Sequence, residues 1–252
     1  LDMRHHGRRL SRDFVLLHEE PHEELIPYLD GFHTREYMEG RWYRGVPGAR
    51  GIPLFSYLYH EYAICYGGEG PPADKARNPF VVWQHAINLA SGKTPAVAVW
   101  SNQSAMAEAH PDQIRMLRNH ARLLKTEAQR FLMLGRMLHP LELDVPWLEL
   151  PHPVRRGSTW KSELFRTPGV LTSSWQSPEG LVGHLLVNIG EKQQSLRLGL
   201  DTRNAPPWPK ADVDLYDAAK PGVQTALLRG ASLPAAHAIE LEPLGAVFFV
   251  IR

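Results

Sequence analysis

From about Trp160 to the C-terminus, short β-rich runs alternate with turns, and this pattern constrains the fold more than any other feature. Turns such as Ser177-Pro178-Glu179-Gly180 and Pro206-Pro207 separate the runs. Short strands with regular turn signals are typical of sandwiches built only from strands. We therefore predict an antiparallel β-sandwich with strands at residues 170–175, 181–189, 195–200, 213–216, 238–241 and 246–251.

The first half of the chain alternates strand-like and helical patterns. Residues 14–17 and 52–59 are apolar runs that end in ionisable residues, and residues 94–100 form a short β-rich run with a polar end. Helices are predicted from about Pro21, from Pro79 to Gly92, and from Pro111 to about Leu134. Strands that alternate with helices indicate a parallel sheet with helical crossovers.

The region that precedes the sandwich is too short for a closed eight-fold barrel, which needs about 250 residues. The predicted fold is therefore α/β followed by all-β. Residues 1–155 are assigned to the late part of a TIM-type (β/α) barrel and residues 156–252 to the β-sandwich. Pro146, Pro151 and Pro153 are expected in a loop or linker between them. An upstream barrel segment, a second subunit or a second copy is expected to complete the barrel.

The composition excludes several classes of partner and site. Lys plus Arg number 28 against 27 for Asp plus Glu, so no charge excess favours nucleic acid or an anionic membrane. The single Cys65 excludes an intrachain disulfide and a Cys-rich zinc site. His5 and His6, with His18 and Glu19, lack tight ligand spacing, so neither a metal nor a cofactor is expected. We expect a soluble chain, either cytoplasmic or secreted after removal of a leader.

One stretch resembles a known family. Leu17-His18-Glu19-Glu20-Pro21-His22-Glu23, followed by Asp30-Gly31, resembles the late barrel strand of glycoside-hydrolase-like proteins. The resemblance is to an uncharacterised family of glycosidase-like barrels with a Ser-Glu-Gly-Pro-x-Glu type motif at this place. Residues 53–62, residues 131–140 and the closing β-rich region continue it. His18 and Glu20 depart from the small residues of that motif, and the early barrel strands, which usually carry one of two carboxylates, are missing.

Glycoside hydrolysis needs two carboxyl groups, roughly 5–9.5 Å apart, on opposite sides of the scissile bond. Barrel enzymes place such groups at the C-terminal ends of strands, where Glu19, Glu20 and Glu61 are predicted. Adjacent side chains of a strand face opposite ways, and the resemblance selects Glu19 over Glu20. We therefore predict Glu19 and Glu61 as catalytic. The alternative interpretation, above all for Glu23 and Glu24, is that these carboxylates begin a helix and interact with its dipole. The predicted substrate-binding residues are His18, Glu20, Glu23, Asp30, Tyr59, His60 and Trp83.

Two functions from different classes are consistent with this sequence. The first is a glycoside hydrolase that acts on a carbohydrate substrate through carboxylates at the barrel mouth. The second is a non-catalytic carbohydrate-binding or scaffold protein that keeps the fold and has lost the acid/base pair. A second carboxylate within glycosidase range of Glu19 would distinguish them.

Overall fold

The computed structural model describes most of the chain, namely residues 2–34, 53–67, 79–96, 108, 110–156, 159–200, 210–233 and 235–252. Within these residues the chain is mixed α/β, and most of its regular structure is sheet. The first half contains a four-stranded parallel sheet in the order β1-β2-β3-β4. Its strands are Leu17–His18 (β1), Gly31–His33 (β2), Ile64–Gly67 (β3) and Thr94–Pro95 (β4).

Helices lie between and around these strands. They are Asp2–Leu10 (α1), the 3-10 helix Glu23–Leu25, Leu54–Tyr59 (α2), Pro79–Ala90 (α3), Pro111–Leu123 (α4) and Gln129–Leu132 (α5). The first residue of both α3 and α4 is proline, whose fixed φ and missing N–H suit the first helical position. Almost all of α3 is buried, and it packs against one face of α4 through Met116 and Leu123.

The second half consists of antiparallel strands. A six-stranded sheet has the order β12-β11-β14-β9-β8-β5, while β10 pairs with β13 and β6 with β7. These strands are Arg136–Leu138 (β5), Trp147–Arg156 (β6), Thr159–Pro168 (β7), Val170–Gln176 (β8), Val182–Asn188 (β9), Gln194–Leu200 (β10), Ala211–Asp217 (β11), Gln224–Ala231 (β12), Ala235–Leu241 (β13) and Ala246–Ile251 (β14).

The six-stranded sheet is covered on both faces, as β14 shows. Phe248 and Val250 belong to the core shared with α3, α4 and α5, whereas Phe249 and Ile251 belong to a second core with β10 and β13. Successive residues of a strand face opposite sides, which explains why the whole of β14 is apolar and buried. Helices therefore cover one face of this sheet, and the β10–β13 pair covers the other.

The structure corrects several sequence-based predictions in the first half. Residues 54–59 form α2 rather than a strand, because a short apolar run has the same appearance in both. The strand predicted at residues 14–17 is reduced to Leu17–His18, and the helix from Pro21 to a single 3-10 turn. The long helix predicted from Pro111 is divided into α4 and α5.

The second half agrees better with the sequence. All six predicted strands are confirmed as β8, β9, β10, β11, β13 and β14. The predicted linker is wrong in one respect, because Pro151 and Pro153 lie within β6 and face Leu164 and Ser162 of β7. Since β6 pairs only with β7 among the described strands, it is an edge strand, where proline is tolerated.

Candidate active site

The parallel sheet has two chemically different faces. Phe32 in β2 is fully buried and packs edge-on against Phe55 of α2, with ring centroids 5.4 Å apart, so this face points at the helices. His33 follows Phe32 and lies on the opposite face, where its ring stacks on Tyr66 at 5.0 Å and 13°. His33 and Tyr66 are also paired in the sheet register. This partly buried pair therefore lies at the C-terminal end of β2 and β3, on the face away from α2.

Glu19 lies at the same edge as this aromatic pair. Its side chain is exposed and follows directly after β1, which runs parallel to β2. A Cβ at Gly31 would lie 3.3 Å from the Leu17 side chain, so Leu17 faces the same side as Gly31 and His33. Glu19 follows β1 directly, in a bend, so it lies at the C-terminal end of β1, the same end of the sheet at which His33 and Tyr66 lie in β2 and β3. The edge thus combines a carboxylate with two flat rings.

His18 and Glu20 flank Glu19 and form a local turn. The Nδ1 atom of His18 lies 2.8 Å from the backbone carbonyl oxygen of Glu20, and both side chains are exposed. This contact fixes the chain direction immediately after β1. His18 is the last residue of β1, and Glu19 and Glu20 follow it directly. The catalytic and sugar-binding roles predicted for these residues stay predictions.

Asp30 and Glu61 lie at the opposite edge of the sheet, because each precedes a strand. Asp30 comes before β2 and accepts hydrogen bonds from Arg4 at 2.5 Å and from Leu16 N–H at 2.9 Å. Burial tends to raise the pKa of Asp30, but these two bonds hold it below its ordinary value. Glu61 comes before β3, and its hydrogen bond raises the pKa of the Tyr62 hydroxyl.

This placement corrects the expectation that Glu61 ends a strand. The expectation depended on a strand at residues 52–59, which is helical instead. Glu19 follows β1 and Glu61 precedes β3 in a parallel sheet, so the two carboxylates lie at opposite edges. A glycosidase pair must flank one bond, and the described geometry does not bring Glu19 and Glu61 together for that purpose.

Glu23 and Tyr59 meet in the helical layer rather than at the strand ends. The Tyr59 hydroxyl donates a 2.7 Å hydrogen bond to Glu23 Oε2, and this bond raises the pKa of the Tyr59 hydroxyl. Tyr59 also packs against Phe55, whose ring covers the helix-facing side of β2. The pair therefore connects the 3-10 helix to α2, behind the face that carries His33 and Tyr66.

His60 and Trp83 are in the hydrophobic interior. His60 is 1% exposed, with Nδ1 at 2.7 Å from Gly135 O and Nε2 at 2.9 Å from Gly92 O. Trp83 is also buried, and its Nε1–H donates to Thr167 Oγ1 at 3.2 Å. This burial disfavours the prediction that either ring contacts a sugar.

His33 and Tyr66 were not identified from the sequence. They end strands of three and four residues, Gly31–His33 and Ile64–Gly67, which are too short to show a clear period. The available signal was the run Ala63-Ile64-Cys65-Tyr66, which is followed by two glycines, as buried strands often are.

In the described ranges, no group of three or more His, Cys, Asp or Glu side chains is arranged to hold a metal ion. Among the helices that the structure describes, none has the length and apolar character needed to cross a bilayer.

Comparison with known proteins gives one family match and several structural similarities. A family described as "Domain of unknown function (DUF6259)" matches residues 2–69. No curated protein sequence matches the chain. A family 30 subfamily 8 xylanase from Clostridium acetobutylicum is similar over 98% of this chain and 58% of its own, with 11% identity and a TM-score of 0.41.

Two further solved structures are glycoside hydrolases from other families. A family 27 β-L-arabinopyranosidase from Geobacillus stearothermophilus covers 94% of this chain and 49% of its own, with 10% identity and a TM-score of 0.40. A family 51 arabinofuranosidase from Xanthomonas axonopodis pv. citri covers 79% and 43%, with 12% identity and a TM-score of 0.37. The chain thus spans about half the length of these glycoside hydrolases.

Proposed function

We propose that this chain is part of a glycoside hydrolase and that Glu19 is one of its catalytic carboxylates. In this proposal, residues 1–155 are the late part of a (β/α) barrel and residues 156–252 are a C-terminal β-sandwich. The sequential parallel order β1-β2-β3-β4 supports the barrel assignment, since consecutive barrel strands are neighbours. The two-sided packing of the six-stranded sheet supports the sandwich.

The proposal depends most on one observation: Glu19 and the stacked pair His33 and Tyr66 occur at the same edge of the parallel sheet. The C-terminal edge of parallel strands is where barrel enzymes carry their active sites. A carboxyl group there can act as an acid, a base or a nucleophile on a glycosidic bond. The rings of His33 and Tyr66 form a flat, partly exposed pair on which a sugar can stack.

The proposed second carboxyl group lies outside the residues that the structure describes at this edge. Within the described residues, the carboxylates of this edge are Glu19 and Glu20, and neighbours in sequence cannot lie on opposite sides of one bond. The proposed partner carboxylate therefore belongs to a barrel strand outside this set. The expected sources are an upstream segment, a second subunit or a second copy.

The test is hydrolysis of a panel of aryl glycosides by the complete barrel, in which this chain is joined by the segment or subunit that supplies the second carboxylate, and by its Glu19→Gln variant. We expect turnover of at least one glycoside, and we expect Glu19→Gln to reduce the rate by at least about a thousandfold. The stability of the fold should change by less than about 1 kcal/mol, because the side chain is exposed.

Glu24→Gln is the matched control, because it removes an exposed carboxylate from the 3-10 helix. It should leave the rate unchanged. If Glu19→Gln keeps full activity, Glu19 is not catalytic. If the chain hydrolyses none of the glycosides with or without its barrel partner but still binds them, it is a non-catalytic carbohydrate-binding protein.

A further inference from the structure

A second concave surface lies far along the chain from Glu19, between α4 and the strands β11, β13 and β14. It encloses about 440 Å³, a volume in the range of small-ligand sites. Its lining is chemically mixed. One wall is helical and carries arginines, the other is made of strand ends and carries carboxylates, and apolar side chains including Ile114 and Val247 lie between them.

The helical wall presents Arg115, Arg118 and Arg122. Their spacing of three and four residues places them on one side of α4, over two turns. Arg122 is anchored, because its Nη1 donates to Ala218 O at 3.3 Å. Arg115 and Arg118 are exposed, and in the described part of the chain no ion pair engages either guanidinium group. Two cationic groups are therefore available to an anionic ligand.

Among the described residues, the carboxylates of the strand wall form no ion pair with Arg115 or Arg118. Glu240 accepts hydrogen bonds from Ser195 at 2.6 Å and from Gln193 at 2.8 Å, which turn it toward β10. Asp217 accepts a 2.8 Å bond from the backbone N–H of Ala219. Glu242 is exposed at the start of the turn between β13 and β14. Carboxylate oxygens on this side can accept hydrogen bonds from hydroxyl groups.

The turn beneath the groove is held in an unusual backbone conformation. Leu244 has a φ of 53°, in the left-handed region that residues other than glycine rarely adopt. Its carbonyl oxygen accepts a 2.8 Å hydrogen bond from Nδ2 of Asn119, a buried residue of α4. A strained residue fixed by a buried amide joins the strand wall to the helical wall. Backbone strain of this kind is concentrated at functional sites.

We propose that this groove, which we call the α4 groove, binds a uronic acid unit of an acidic glycan. The ligand carboxylate pairs with Arg115 and Arg118, because guanidinium groups bind planar carboxylates through two parallel hydrogen bonds. Ligand hydroxyls donate to Glu242 and Asp217. A compact inorganic anion lacks a sugar ring with several hydroxyl groups, and a neutral sugar lacks the carboxylate, so the two walls together favour a sugar acid. The site is separate from Glu19 and does not depend on catalysis.

The experiment measures binding to the full chain by isothermal titration calorimetry. The probes are digalacturonate, the neutral disaccharide galactobiose and inorganic phosphate. Digalacturonate should bind, and galactobiose and phosphate should each bind at least about tenfold more weakly. The Arg115→Gln/Arg118→Gln double variant should weaken digalacturonate binding by about tenfold or more. Rising salt should also weaken it, because both arginines are exposed.

Arg12→Gln is the matched control, since it removes an exposed arginine outside the groove. It should bind digalacturonate as the unmodified chain does, and Glu19→Gln should do so too, which separates this site from the proposed active site. Equal affinity for galactobiose or phosphate, no binding of digalacturonate, or unchanged binding by a folded double variant would each overturn the proposal.

Discussion

The ring of His60 packs against the indole of Trp175, with centroids 4.6 Å apart, and joins the two halves of the protein. His60 follows α2 in the first half, whereas Trp175 is a fully buried residue of β8 in the six-stranded sheet. Burial lowers the pKa of His60, although carbonyl oxygens at both ring nitrogens favour the charged form. This contact is therefore a structural junction and leaves little room for any added atom.

Gly92 tests how tightly this junction is packed. Its φ is 68°, and a Cβ there would overlap the His60 ring and lie 2.7 Å from Trp175 Cη2. We expect Gly92→Ala to lower the free energy of unfolding by about 3–5 kcal/mol, which combines backbone strain and overpacking. Gly180→Ala is the control, because Gly180 also has a positive φ, of 87°, but no atoms within 4 Å of the added Cβ. Urea denaturation measures both, and equal losses would mean that the junction is loose.

Two buried histidines, His85 of α3 and His120 of α4, should make the stability of the fold sensitive to acid. Burial lowers the pKa of His85 to about 4 and that of His120 to about 3. His85 Nε2 lies 2.8 Å from Gln113 Nε2, so it accepts a hydrogen bond as a neutral imidazole. The unfolded chain takes up these protons near the ordinary histidine pKa of 6.5, so stability is present at pH 7 and is lost as the pH falls toward 4.

The expected loss of stability in acid follows from the lowered pKa values of His85 and His120. Between pH 7 and pH 5, each of these histidines should lower the free energy of unfolding by about 2 kcal/mol. His85→Gln should reduce that pH dependence by about 2 kcal/mol, whatever its effect on stability at pH 7. His22→Gln, at an exposed position, should leave the dependence unchanged. Denaturation curves at pH 5 and pH 7 measure it, and an unaltered dependence in His85→Gln would contradict the assignment.

The hydrogen-bonded ion pairs of Arg252 are expected to contribute to the stability of the fold. Its Nη1 donates to Glu127 Oε1 at 2.9 Å, its Nη2 contacts Glu127 Oε2, and its Nε donates to Asp214 Oδ2 at 3.0 Å. Burial tends to raise the pKa of Glu127, but the bond from Arg252 holds it below the ordinary value. Arg252→Gln should destabilise the fold by about 1–3 kcal/mol at pH 7.

The pH dependence separates this interaction from simple packing. A carboxylate with a lowered pKa stabilises the fold above its unfolded pKa, and that stability disappears as the pH falls below it. The difference between the unmodified chain and Arg252→Gln should therefore shrink toward pH 3. Lys220→Gln, at an exposed turn, is the charge control and should have little effect. A difference that is constant from pH 7 to pH 3 would assign the loss to packing.

The strands of the second half were predictable because their signals are strong. Each of the six predicted runs corresponds to a strand of six or seven residues, and β14 is apolar throughout because both of its faces are covered. The hairpin β6–β7 was missed because its prolines are typical of a linker. Proline is tolerated in an edge strand, but the sequence does not indicate that β6 lies at an edge.

The candidate site was only partly predictable for a related reason. Glu19 was expected after a strand at residues 14–17, and it does follow β1, although only Leu17 of that predicted run belongs to β1. Glu61 was misplaced because the apolar residues of α2 fit a helix and a strand equally well. Burial of His60 and Trp83 depends on contacts with β8 and β7, which are distant in sequence.

The parallel sheet has open lateral edges at its two outer strands in the described part of the chain. Among the described strands, β1 and β4 each pair on one side only, and the Leu17 side chain of β1 is 48% exposed. Unpaired strand edges and exposed apolar surface favour pairing with another chain. Light scattering should therefore give a species larger than the 28.5 kDa chain, or aggregates, unless an upstream segment closes the sheet.

A charge placed at this edge should interfere with such pairing, as lysine does on natural edge strands. Leu17→Lys should shift the scattering mass toward that of the monomer, since Leu17 lies in the outer strand β1 and its side chain is exposed. Leu10→Lys, at a 77% exposed position of α1, is the control and should not change the mass. A monodisperse monomer that unfolds cooperatively without any partner would show that the first half is self-sufficient. The barrel assignment would then be wrong, and the proposed role of Glu19 would lose its structural basis.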